Sequence, residues 1–145
     1  MIHRVRYMLV LAAMCPVVSG CDALEELFGS DTVTVRLVND GSFDVEVEIY
    51  ISDQQDIPEA VLTLLGTKLD YTVEAGGTVT FTRSCDELQA IVVSDADLLA
   101  VGGLRPDTSW EVLRDGDDFS CGETIVFTFD HSIVLIDFDV VVTFE

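Results

Sequence analysis

From Thr32 onward, apolar residues recur at every second position, and this period of two limits the fold more than any other feature of the chain. Val33, Val35 and Leu37 alternate with Thr32, Thr34 and Arg36. Phe43, Val45, Val47, Ile49 and Ile51 then alternate with Asp44, Glu46, Glu48 and Tyr50. Successive side chains of a strand point to opposite faces, so each segment buries one face and wets the other. Between them, Asn39-Asp40-Gly41-Ser42 carries the Asp-Gly turn signal and predicts an antiparallel hairpin. The row Asp44, Glu46, Glu48 is expected on one solvent-facing side, where like charges resist edge-to-edge aggregation.

The period changes once. Ile57, Ala60, Val61, Leu64 and Leu65 follow helical spacing, which predicts one short helix over residues 56–66. Asp56 and Glu59 have capping-box spacing, Pro58 suits a first turn, and Gly66 stands where a helix would end. Strands resume at 69–74 and 78–84 around Ala75-Gly76-Gly77, predicting a second hairpin, and again at 89–93. Gly102-Gly103 and Arg105-Pro106-Asp107 favour a long surface loop over 94–109. A short strand at 110–113, the turn Asp115-Gly116-Asp117-Asp118, a strand at 124–130 and a last one at 133–144 complete the chain. About eight short strands at regular spacing, without βαβ alternation, predict an all-β antiparallel sandwich.

The first residues have a different character. Arg4 and Arg6 precede an apolar run, YMLVLAAM, that is too short to span a bilayer, which takes about 20 apolar residues. Val18-Ser19-Gly20-Cys21 follows. This segment resembles the lipobox signal of bacterial lipoproteins, although Leu is commoner than Val at its first position. The resemblance implies that residues 1–20 are removed and that Cys21 becomes the lipidated first residue. It implies residues 21–31 as a tether and 32–145 as the domain. Two acyl chains give stable attachment, so the expected partner is a membrane held through the anchor. Asp22, directly after the lipidated cysteine, resembles an inner-membrane retention signal of enteric bacteria. The expected location is therefore the exported side of the cell membrane or the outer membrane. The layout of 32–144, with the stretch FSCGETIVFTF, also looks like that of uncharacterised acidic bacterial lipoproteins with an immunoglobulin-like domain.

Charge narrows the partners. The chain has 7 basic and 27 acidic residues. Loss of Arg4 and Arg6 leaves 5 basic against 27 acidic, a net −22. Nucleic-acid binding needs a basic footprint, which is missing. The acidity suits solubility, or a basic partner. Cys85 and Cys121 remain in an oxidising compartment and are expected to form a disulfide. A metal site on them would need more ligands, and His131 is the only histidine after the leader.

Candidate chemistry is sparse. His131 is the one imidazole available for a hydrolase triad, no nucleophile-elbow motif accompanies it, and DHS is expected to be an exposed turn between strands. Paired carboxylates for glycoside chemistry arise by chance among so many acids. Calcium, which takes oxygen ligands, has a candidate site in Asp115, Asp117 and Asp118, and Asp95 and Asp97 form a second acidic patch. The expected role is a non-enzymatic envelope module, structural or interacting with a protein or glycan, with no cofactor. The rivals are a calcium- or carbohydrate-binding module, marked by exposed aromatics such as Trp110, Tyr50 or Tyr71 near an acidic loop, and a small hydrolase.

Overall fold

A computed structural model describes residues 31–98, 111–132 and 137–145. The leader, Cys21, Asp22, most of the expected 94–109 loop and Trp110 lie outside the described residues. Two four-stranded sheets pack face to face, so the all-β sandwich stands. One sheet has the order β4(Thr78–Ser84), β1(Thr32–Asn39), β7(Thr124–Ser132), β8(Asp137–Phe144). The other has the order β3(Thr67–Val73), β2(Val45–Ser52), β5(Ala90–Leu98), β6(Leu113–Arg114). The alternation read from the sequence is the burial pattern observed. Val33, Val35, Leu37, Val45, Ile49, Val73, Ile91, Ile125 and Phe129 are fully buried between the sheets.

Both predicted hairpins are corrected. β1 pairs with β4 and β7, while β2 pairs with β3 and β5. Each expected hairpin turn is a corner that carries the chain from one sheet to the other. The apolar sides of β1 and β2 therefore face each other across the core, whereas a hairpin would have put them side by side. Asp40-Gly41 misleads because Gly41 has no positive φ, unlike Gly76 at +66°. Gly41 serves a close approach instead: a Cβ there would lie 1.7 Å from the imidazole of His131. Nor is the first sheet wholly antiparallel, because β1 and β7 run parallel at its centre.

The corner is held by a buried amide. Asn39 is fully buried at the end of β1. Its Nδ2 donates to the carbonyls of Phe43 at 2.8 Å and Val73 at 3.0 Å, and its Oδ1 accepts from the N–H of Gly41 at 3.0 Å. Asp44, expected to extend the acidic row of β2, turns into the same rim and accepts from the N–H of Ala75 at 2.9 Å. Two side chains of the β1–β2 corner thus stitch it to the backbone of the β3–β4 corner.

The helix, α1(Glu59–Leu65), is shorter than expected. Pro58 is its N-cap, so the Asp56–Glu59 capping box does not form. Leu62 packs with Ile57, Ala90, Val92 and Val112 on the outer side of the second sheet. Cys85 and Cys121 are joined by a disulfide, with Cα atoms 5.5 Å apart. The bridge links the residue after β4 to the approach to β7, the two neighbours of β1. Among the described residues, no helix is long and apolar enough to cross a membrane.

Candidate functional site

The outer face of the second sheet gathers acids from three strands. On β2, Glu46 and Glu48 point outward while Val45, Val47 and Ile49 point into the core. Glu46 lies opposite Thr72 of β3 and Asp97 of β5, and Glu48 lies opposite Asp70 and Asp95. Asp95 and Asp97 reach this face through a β-bulge. The pairing steps from Glu48↔Asp95 to Ile49↔Val93 and leaves Ser94 as the extra residue. Val93 and Ala96 are therefore both in the core, and the two aspartates between and beyond them face out. Bulges re-aim side chains in this way. The segment expected as loop from residue 94 is thus strand as far as Leu98.

Like charges directly opposite one another destabilise a sheet. Lys68 answers part of this. Its Nζ lies 2.5 Å from Oε2 of Glu48 and 3.1 Å from Oδ1 of Asp70. The hydroxyl of the bulged Ser94 donates to Oε1 of Glu48 at 2.9 Å. The Lys68 ammonium, helped by Ser94 and against the cost of burial, lowers the carboxyl pKa of Glu48. Glu48 and Asp70 in turn raise that of Lys68. Beside them runs an open groove of about 330 Å³ whose lining includes Glu46, Asp70, Thr72 and Asp97. The arrangement can attract cationic groups and repel anionic ones.

The other expected site residues do not converge. Asp118 accepts from the N–H of Arg114 at 2.8 Å and closes its own turn. Asp115 sits beside Gln89 and Gln55, whose amide donates to its carbonyl at 2.5 Å, and Asp117 is exposed. Among the described residues, no group of three or more His, Cys, Asp or Glu side chains is arranged to hold a metal. Tyr71 is half-buried between the sheets and stacks on Phe81 at 5.1 Å, while Tyr50 packs against the cluster under α1. Lys68, Asp70 and Ser94 belong to the acidic face without having been singled out in the sequence. The alternation of β3 carries a signal for the first two, and Ser94 has none.

His131 is within β7, which corrects the exposed turn expected at DHS. Its Nε2 accepts from the N–H of Phe43 at 3.0 Å. The ring sits 5.8 Å from that of Phe43 and meets Phe138 edge-on at 6.0 Å. Burial lowers its pKa, against a smaller opposing pull from Asp130. Protonation would place an N–H where Phe43 needs an acceptor. A pKa lowered by folding means that the unfolded chain takes up the proton more readily. The contribution of His131 to stability is therefore complete above the ordinary imidazole value of 6.5 and is lost as pH falls below it. In urea titrations from pH 7.5 to 5, the native protein should lose stability relative to His131→Asn. Parallel pH profiles would show that His131 is not the titrating group.

No family model matches the chain, and no curated protein matches it. Among solved structures, an NMR structure of a protein from Eubacterium rectale is similar, with 14% identity, a TM-score of 0.42, and coverage of 79% of this chain and 91% of that one.

Proposed function

We propose that this chain is an exported, lipid-anchored envelope protein whose sandwich is a non-enzymatic interaction or structural module. The observation that carries the reading is Val18-Ser19-Gly20-Cys21 after a charged and then apolar leader. Support comes from the domain behind it. Its disulfide suits an oxidising compartment. Its one described imidazole is engaged in a structural hydrogen bond at the corner. Its acidic sheet face suits a soluble surface on the exported side and disfavours nucleic acid. The membrane is the cell membrane or the outer membrane.

The test is Cys21→Ser in the full chain, expressed in a bacterial host that processes lipoproteins. The native protein should incorporate labelled palmitate and sediment with membranes in high salt. The variant should do neither. A serine variant that still sediments in high salt would overturn the anchor.

A further inference from the structure

Hydrogen bonds of Asp31 and Thr32 define the rim at which the chain enters the sandwich. The N–H of Cys85 donates to the carbonyl of Asp31 at 2.9 Å, and that of Gly122 to Thr32 at 3.2 Å. Ser52, the last residue of β2, lies opposite Ala90, the first of β5, and α1 joins β2 to the start of β3. Phe144, at the end of β8, lies opposite Ile125 near the start of β7. The start of β1, the disulfide, α1 and the end of β8 therefore share one rim. The Asn39 and His131 corner occupies the other.

The entry rim is also where large apolar side chains meet solvent. Leu64 is 78% exposed and Leu65 is 74% exposed, with Val61 and Phe144 partly so. Among the described residues, Val141 is the other exposed large hydrophobic, further along β8 opposite Thr128. Leu65 shares an open groove with Arg83 and Glu87, which flank Cys85 two residues to either side. It is thus next to the point where the chain enters. A helix that only covers a sheet needs one apolar stripe. α1 has that stripe in Leu62, which is fully buried. Leu64 and Leu65 are a second apolar pair that the sandwich leaves exposed, Leu65 at the edge of that groove.

We propose that the entry rim seats on the lipid bilayer, with Leu64 and Leu65 of α1 entering the headgroup region beside the anchor. This rests on the lipid-anchor reading above. Residues 22–30 separate the lipidated cysteine from Asp31, and nine extended residues reach at most about 32 Å. The rim is therefore confined near the membrane whatever else the domain does. Tethering makes a second contact intramolecular, so an apolar contact too weak to hold a free protein becomes populated. The rim also carries exposed Asp53, Asp56, Glu59, Asp86 and Glu87. Anionic headgroups would repel these, so the matching surface is zwitterionic.

The experiment uses the full lipidated chain in phosphatidylcholine vesicles. A fluorescent label is attached at Ala60→Cys, one helical turn from Leu64 on α1, or at Ala75→Cys on the opposite rim. A lipid-borne nitroxide and aqueous iodide serve as quenchers. Seating predicts that the nitroxide quenches the α1 label and iodide does not, with the reverse for the label at 75. Adding Leu64→Ser and Leu65→Ser should lower the seated-to-free ratio by about tenfold for each leucine withdrawn. Both leucines are exposed, so the double variant keeps its fold, checked by far-UV circular dichroism. If the chain sediments with vesicles but iodide reaches both labels equally, the seating is wrong and the anchor stands. A label on α1 shielded from iodide yet unquenched by lipid would mean that protein and not lipid covers it, which also overturns the seating. A chain that fails to sediment overturns the anchor and the seating together.

Discussion

Replacing Cys85 and Cys121 together by alanine should lower the unfolding free energy of the domain by about 4 kcal/mol, the largest single loss expected in this molecule. The two cysteines are 36 residues apart in sequence. Opening a loop of that size releases closure entropy to the unfolded chain, and little burial is lost because Cys121 is exposed and Cys85 half-buried. The folded state would also lose the tie between the flanks of β1. A domain of this size has a total stability of about 5–15 kcal/mol, so the variant should be marginal at 37 °C. Urea unfolding of the native and double-alanine domains, with and without reductant, measures the effect. Reductant should bring the native protein down to the variant and leave the variant unchanged. A difference below about 1 kcal/mol would mean that the bridge carries no such weight.

Asn39→Ala should cost about 3 kcal/mol, although it removes only a short polar side chain. The amide satisfies two carbonyls and one N–H, and its contact with Val73 is fully enclosed. A buried group left without a partner costs about 1–3 kcal/mol, and alanine strands three groups, some of which the loosened corner would expose to water. Asn39→Asp should be at least as damaging at neutral pH. It keeps the acceptor for Gly41, loses both donors and buries a charge. Chemical denaturation of both variants checks the order, and a shift no larger than that of an exposed Thr80→Ala control would remove Asn39 from its structural role. The same corner holds the hydrogen bond from Phe43 to His131, so the pH dependence attributed to His131 should weaken in Asn39→Ala.

The carboxylates of Glu46, Glu48, Asp70, Asp95 and Asp97 are brought together by strand pairing, and Lys68 and Ser94 meet Glu48 from two sides. These contacts account for how the sheet tolerates the charges. Leu64 and Leu65 of α1 lie exposed at the rim where the chain enters. The two surfaces lie apart on the second sheet, α1 near the end of β2 and the carboxylates towards its start. A domain seated on its entry rim would keep the acidic face in solvent.

Local chemistry determined the strands, the inward and outward side of most of them, the short helix after β2 and the pairing of the two cysteines. Each depends on neighbours in sequence or on simple count: side chains alternate along any strand, and the leader reading leaves Cys85 and Cys121 as the two thiols expected to pair. Which strands become neighbours is a different kind of fact. A period of two is the same whether Val33–Leu37 lies beside Val45–Ile51 in one sheet or faces it across the core, so Asp40-Gly41 could suggest a hairpin where the chain makes a corner. Only the packed structure decided that Gly41 gives room to an imidazole 90 residues away in sequence, and that β1 lies parallel to β7. Tertiary structure also set the acidic face. Plain alternation continued from Ile91 and Val93 would carry Asp95 and Asp97 into the core. Burying two carboxylates costs far more than one interrupted pairing, so the strand bulges at Ser94 and turns both outward.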